Sequence, residues 1–315
     1  MNNINIYKMN NIMQLLISGA QDKNIKKRII SPFIINIPKS DDTSQINYIE
    51  YGDLIKIKGF IIKKNDLYSL NDKKIIIQFG SSNYIIPFSF LSSMNTINYD
   101  NETYYIDFPH DYLLNHYIPI VYLQFGSFTL KIQDIQFLDV KLVIESTYLD
   151  IDERRLLTTN EKLYDFRCIE RFELYSIGSG NQPNNVNIYE SNIEAKLLCQ
   201  GIIINCSKKF INKFTVISDF GDQEIIIKDY NKFLIELYGS EIGNEKNLTY
   251  FGFNLEEKFT SNNLVGCVNM SRLDNVKIII ELLENDHDKK NDLIIYSICW
   301  NHISYINGSC GFKYC

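Results

Sequence analysis

The chain has 315 residues, a net charge of −6, and 45% hydrophobic against 22% charged residues. That is a globular balance with room for one large domain or two of roughly 150 residues. The acidic excess argues against a protein whose main task is neutralising phosphates, and the basic run Lys26, Lys27, Arg28 reads as a solvated turn.

The opening "MNNINIYKMNNIMQLLISGAQ" lacks a basic start followed by an apolar run, so it is not expected to be a signal peptide. Within it, "NNIMQLLISGAQDK" predicts a short helix ending at Gly19. Short apolar runs then recur at close spacing: "IISPFIINI", "DLIKIKGFIIKK", "KKIIIQFG", "NYIIPFSFL", "TYYIDF", "IPIVYLQFG", "SFTLKIQ" and "IQFLDVKLVIES". Polar ground around Ser40–Gln45 predicts a long loop. In "LIKIKGF" alternate residues face opposite ways, with Ile55, Ile57 and Gly59 on one side and Leu54, Lys56 and Lys58 on the other, where Leu54 breaks a clean polar face.

At the centre lies "YLDIDERRLL", Tyr148–Leu157. Asp150 can cap a helix, Glu153 stands three residues on as in a capping box, and acids in the first turn suit the helix dipole. A second series follows: "YDFRCIERFELYSI", "IEAKLLCQGIIINC", "KFTVISDF", "QEIIIKD", "LTYFGFNL", "LVGCVNM", "NVKIIIELLE" and "DLIIYSICWNHISYI". Among these, "SIGSGNQPNNVNIYESN" predicts a long loop, and "KDYNKFLIELYGSE" a helix carried by Phe233, Leu234 and Leu237 and stopped at Gly239. Many short strands separated by turn signals indicate sandwiches rather than βαβ units. Eight runs in each half predict an all-β protein of two consecutive eight-stranded antiparallel jelly rolls with a few short helices. No run approaches about 18 uninterrupted apolar residues, so no transmembrane helix is expected. The halves show no obvious sequence repeat.

Seven cysteines are present: Cys168, Cys199, Cys206, Cys267, Cys299, Cys310 and Cys315. Their odd number, and their absence from the first half, predict free thiols in a reducing compartment.

Three separated stretches resemble, in order, segments of the double jelly-roll major capsid proteins of nucleocytoplasmic large DNA viruses. They are "MQLLISGAQDKNI", "TYLDIDERRLLTTNEKLYDF" and "GCVNMSRLDNVKIII". "YIPIVYLQFGSFTLKI" is similar to a further run of that family, and "IIYSICWNHISYINGSCGFKYC" to its ending. This chain is shorter than most members, and the family's Asn-Val-Leu-Arg near the C-terminus is missing. The resemblance implies an arm over residues 1–28, a first jelly roll over 29–147, an inter-barrel helix and linker over 148–164, and a second jelly roll over 165–315. It also implies a virion structural protein that trimerises into pseudo-hexagonal capsomers of an icosahedral capsid, assembled in the host cytoplasm. Its partners would be other copies of itself and neighbouring capsomers or minor capsid proteins, with the inner viral membrane a further candidate and no sequence-specific nucleic acid. A minor capsid or scaffold paralogue, or a jelly-roll glycan-binding module, are the alternatives.

Asp150, Asp152 and Glu153 could serve acid–base or metal chemistry, but Arg154 and Arg155 would pair with them and no nucleophile is near in sequence. The structural alternatives are a helix cap with local ion pairs and a network between barrels or subunits. Arg272 and Asp274 in "NMSRLDNV" read as a turn or as a second ion-pair anchor. Cys299-x-x-His302 lacks an accompanying Cys-x-x-Cys, so no metal or other cofactor is expected. His110 and His116, with Asp107 and Asp111, lack a nucleophile and an oxyanion loop, so no enzyme is expected.

Overall fold

The computed structural model describes residues 31–36, 43–47, 52–94, 96–123, 128–133, 140–159, 161–180, 186–193, 196–206, 211–218, 221–224, 248–253, 267–273, 275–283 and 293–313. The first sandwich holds β1 (Ser31–Asn36), β2 (Thr43–Asn47), β3 (Leu54–Lys63), β4 (Lys74–Phe79), β5 (Ser82–Pro87), β6 (Thr96–Asn98), β7 (Thr103–Asp107), β8 (Ile118–Pro119), β9 (Phe128–Gln133) and β10 (Val140–Thr147). Short helices α1 (Leu67–Leu70), α2 (Phe88–Met94) and α3 (His110–Leu113) interrupt it, and α4 (Ile151–Thr159) follows it. The second sandwich holds β11 (Lys162–Glu173), β12 (Tyr175–Gly180), β13 (Val186–Asn192), β14 (Leu198–Ile204), β15 (Ile211–Ser218), β16 (Gly221–Glu224), β17 (Thr249–Gly252), β18 (Val268–Asn269), β19 (Lys277–Leu283), β20 (Ile294–Ile306) and β21 (Ser309–Phe312).

In the first sandwich one sheet runs β1-β10-β3-β7-β6, with β8 beside β3, and the other runs β2-β9-β4-β5. In the second, one sheet runs β11-β20-β14-β17, with β18 on β14 and β21 on β20, and the other runs β12-β13-β19-β15-β16. Setting aside the accessory strands β6, β8, β12, β18 and β21 leaves eight in each half. Numbered from one to eight along the chain, both halves have the orders 1-8-3-6 and 2-7-4-5. This is the jelly-roll arrangement, found twice.

The duplication extends to single residues. Each third strand carries a β-bulge against its eighth: Lys58 is the extra residue between Ile57 and Gly59, and Gln200 between Cys199 and Gly201. A bulge leaves a carbonyl out of register with its ladder. In both halves a tyrosine of the sixth strand meets it, Tyr105 Oη donating to Lys58 O at 2.7 Å and Tyr250 Oη to Gln200 O at 3.3 Å. In both, a phenylalanine N–H also donates to that carbonyl at 2.9 Å, from Phe108 and from Phe253. The tyrosine ring lies where a side chain would project from the glycine after the bulge. A Cβ on Gly201 would stand 2.5 Å from Tyr250 Oη and 2.6 Å from Phe251 O, and one on Gly59 would stand 2.7 Å from the Tyr105 ring. Glycine is required at both positions for this close approach. The repeat is thus "KGFII…YIDF" against "QGIII…YFGF", too sparse to show as overall sequence similarity.

Three expectations are corrected. Thr43–Asn47, partly within the expected loop at Ser40–Gln45, forms β2 and pairs with β9. The predicted loop "SIGSGNQPNNVNIYESN" contributes to the hairpin of β12 and β13. In both cases pairing along the backbone ladder holds as strand a polar stretch that sequence preference assigns to loops. The expected linker 148–164 is shorter, because Lys162, Leu163 and Tyr164 already pair with Tyr305, Ser304 and Ile303. The helices expected before Gly19 and around Phe233–Gly239 lie outside the described residues.

The cores show why two sandwiches form one body. One apolar cluster fills the second sandwich, with Phe214 stacked on Phe251 at 3.7 Å. The other fills the first sandwich and continues without a break into Phe166, Ile203, Tyr250, Tyr296, Ile298 and Tyr305 of the second. The β11-β20-β14-β17 sheet is therefore covered on both faces, and β20 is buried almost continuously instead of in alternation. Ile295 and Cys299 enter the second core, while Tyr296 and Ile298 enter the cluster shared with the first sandwich.

Candidate functional site at the joint between the sandwiches

The joint is built from β5, α2 and α3 on one side and β11, β20 and β21 on the other. Tyr84 on β5 donates from its hydroxyl to Arg167 O at 2.6 Å, and its ring meets Phe166 edge-on at 5.2 Å. Phe90 on α2 packs edge-on against Tyr296 at 5.4 Å, and the Tyr296 hydroxyl donates to Ser89 Oγ at 2.8 Å. Phe79 and Phe312 close one end at 6.1 Å. At the rim, Arg171 Nη1 pairs with Asp72 Oδ1 at 3.0 Å. Burial raises the phenols of Tyr84, Tyr296 and Tyr305, which stay neutral donors.

Arg167 is the central residue. It stands on β11 directly opposite Trp300 of β20, with 0% of its surface exposed. Its guanidinium lies between the rings of Trp300 and Tyr112, 4.1 Å from each centroid. Nε donates to Gln200 Oε1 at 3.0 Å, and Nη1 donates to Tyr112 O on α3. Desolvation lowers its pKa, and two aromatic faces and the fixed acceptors offset that cost. One side chain thereby ties the bulge of the second sandwich (through Gln200) to a helix of the first.

Two histidines complete the joint. Ile57 N–H donates to His110 Nδ1 at 3.1 Å, which leaves the proton on Nε2, and this donates to His116 O at 2.8 Å. His116 Nδ1 donates to Leu114 O, so its Nε2 accepts from the Tyr305 hydroxyl at 3.2 Å. The His116 ring stacks on Tyr164 at 4.2 Å and 5°. Burial lowers the pKa of His110 to about 3 and that of His116 to about 4. In each imidazole both nitrogens are occupied, so neither is placed as a general base toward a substrate.

The central charged stretch lies at the rim. Asp150 Oδ1 accepts from Glu153 N at 2.7 Å and Glu153 Oε2 from Asp150 N at 3.4 Å, the reciprocal pair of a capping box opening α4. Arg154 reaches the first sandwich: Nε and Nη2 lie 3.1 and 2.9 Å from Asp53 Oδ2, which also accepts from Leu149 N at 2.7 Å. Asp152 and Arg155 are exposed on α4. Arg272 is exposed at the end of the turn Met270–Arg272, opened by Asn269, whose side chain accepts from Ser271 N at 3.2 Å. Among the described residues it makes no ion pair with the α4 carboxylates. Asp274 lies outside the described residues.

Cys168, Cys299 and Cys199 sit side by side on β11, β20 and β14, with burial raising the Cys168 and Cys199 thiols. The six described cysteines are free thiols. Cys299 and His302, three residues apart on one strand, point to opposite faces, and His302 Nδ1 pairs with Asp165. No metal-binding group of three ligands occurs among the described residues. The sequence reading missed Asp53, Arg167, Tyr112 and Trp300. Nothing in "YDFRCIERF" set Arg167 apart, because that strand also carries Asp165, Glu170 and Arg171.

No protein-family model and no curated protein matches the chain by sequence. Solved structures do match. PBCV-1 VP54, fitted into a reconstruction of the virophage Sputnik, superposes with a TM-score of 0.66 at 10% identity over 94% of this chain and 100% of its own. A chain of the PBCV-1 virus capsid gives 0.66 at 11% identity over the same shares. The Faustovirus major capsid protein gives 0.53 at 7%, over 90% of this chain and 92% of its own. The fold is the double jelly roll of these viral capsid proteins.

Proposed function

We propose that the chain is a structural protein of a virion, a shell-forming block with no catalytic task. The observation that carries this reading is the joint. Two sandwiches of identical strand order share one uninterrupted apolar core and a buried Arg167 clamp, which makes the pair one stiff unit. Stiffness between two similar barrels is what lets one chain supply two sides of a hexagon. Three such chains would then form a pseudo-hexagonal capsomer, packed laterally in the icosahedral shell of a virion assembled in the host cytoplasm. The same full-length architecture in proteins of the PBCV-1 capsid and in the Faustovirus major capsid protein supports the reading.

The central charges have a defined place in it. The α4 cap and the Arg154–Asp53 pair fix where the chain leaves the first sandwich, and exposed Asp152, Arg155 and Arg272 are left for contacts between subunits. An obligate trimer should bury more than roughly 2,000 Å² at its interfaces. Mass photometry of the purified protein at micromolar concentration is expected to show the trimer mass, and a lone monomer would count against the proposal. Arg272→Ala should weaken trimers more than it lowers the melting temperature; equal losses of both would remove its assembly role.

A further inference from the structure

The histidine wire across the joint has a consequence independent of the capsid reading. Its hydrogen bonds run in one direction, from Ile57 N–H through His110 and His116 O on one branch, and from the Tyr305 hydroxyl into His116 and on to Leu114 O on the other. It links β3 of the first sandwich to β20 of the second. A backbone N–H can only donate, so a second proton on His110 Nδ1 would face the Ile57 N–H with no acceptor between them. His110 cannot be protonated without moving. His116 is less constrained, because the Tyr305 hydroxyl can rotate to accept from a protonated Nε2.

The surrounding charges do not favour a second cation. Lys56 on β3 and Asp111 on α3 face His110, and they pair with each other at 2.5 Å toward solvent. Arg167 already places a buried guanidinium on Tyr112 of the same short helix. Around His116 stand Tyr305 and Tyr164, with Tyr122 and Cys310 against Tyr305 and Glu161 beyond Tyr122. Asp111 has a side chain 77% exposed and engaged with Lys56, so it screens an added charge only weakly.

We propose that this wire is an acid-sensitive latch: protonation of its imidazoles, and of His110 above all, displaces α3 and loosens the docking of the two sandwiches while each sandwich keeps its own core. Trp300, the one tryptophan of the chain, reports on it directly, because it lies against Arg167 in the joint.

The test follows Trp300 emission of the full chain from pH 7.5 to about pH 4, with far-ultraviolet circular dichroism as the measure of retained strands. A red shift is expected on acidification before strand signal is lost. In His110→Asn, whose side-chain oxygen can still accept from Ile57 N–H but cannot take a proton, the midpoint should fall by about one pH unit or more. His302→Gln, away from the wire, should leave it in place. An unchanged midpoint in His110→Asn, or emission and strand signal lost together in the wild type, would overturn the proposal. Should His110→Asn fail to fold, deuterium exchange at the imidazole C2 of the wild-type protein decides instead. His110 is expected to titrate well below an ordinary histidine, and titration near 6.5 with Trp300 still buried would refute the latch. None of these readouts depends on oligomeric state, so they separate the failure of the latch from failure of the shell proposal.

Discussion

Replacing Arg167 with alanine should weaken the joint more than any other single truncation within it. The guanidinium fills the space between Trp300 and Tyr112, and its loss leaves a gap there and removes two cation–π contacts and the hydrogen bonds to Gln200 Oε1 and Tyr112 O. A desolvated cation–π contact is worth about 1–2 kcal/mol, and a buried polar atom left without its partner costs about 1–3 kcal/mol. Relief of the guanidinium's own desolvation offsets part of this, so a net loss of about 3–5 kcal/mol is expected. At about 2–4 °C per kcal/mol for a body of this size, melting should fall by roughly 10 °C. Differential scanning calorimetry measures this, and a cycle with Tyr112→Ala locates it. If the two side chains act through one stack, the double variant should lose about 1–2 kcal/mol less than the sum of the singles. A loss below about 0.5 kcal/mol for Arg167→Ala, or strict additivity with Tyr112→Ala, would refute the reasoning.

Gly201→Ala and Gly59→Ala should each destabilise by about 2–4 kcal/mol, because the new Cβ meets a tyrosine ring and a backbone carbonyl that cannot move aside; chemical denaturation measures both. Tyr105→Phe and Tyr250→Phe should each cost about 1 kcal/mol, the hydrogen bond to the bulge carbonyl, by the same measurement. Asp150→Ala removes the α4 cap and should cost about 1 kcal/mol, seen as faster amide exchange at Glu153 and Arg154. Acid should weaken the fold. The folded-state pKa values of His110 and His116, about 3 and about 4, lie below the unfolded value near 6.5, so between these limits the unfolded chain takes up protons that the fold refuses. Stability is then full above about pH 7 and declines as pH falls through that window, by up to about 1.4 kcal/mol per pH unit for each histidine. Asp107 and Glu170, whose carboxyls burial raises, oppose part of the decline. Urea titrations at pH 7.5, 6 and 5 would measure the slope.

The jelly-roll pair was legible because its signal is repetitive. Ile-rich runs such as "KKIIIQF" are broken by turns at even spacing, and a strand that buries one face or both must show them. Asp150 and Glu153 were legible as a cap because capping is local, with both partners three residues apart. The joint was not legible, since its contacts join residues far apart in sequence. Arg154 finds Asp53 across 101 positions and His116 finds Tyr305 across 189, and only the folded register brings them together. The internal repeat was hidden for another reason. Only a bulge, a glycine, a tyrosine and a phenylalanine need to match in each half, and the rest of each strand is free to vary among apolar residues.

The central claim is that two similar sandwiches form one stiff block built to close into a hexagonal outline. Negative-stain class averages of the purified protein test it most directly. Six-lobed particles, each lobe the size of one sandwich, are the predicted result. Two-lobed single particles with a variable angle between the lobes would contradict both the stiffness and the assembly.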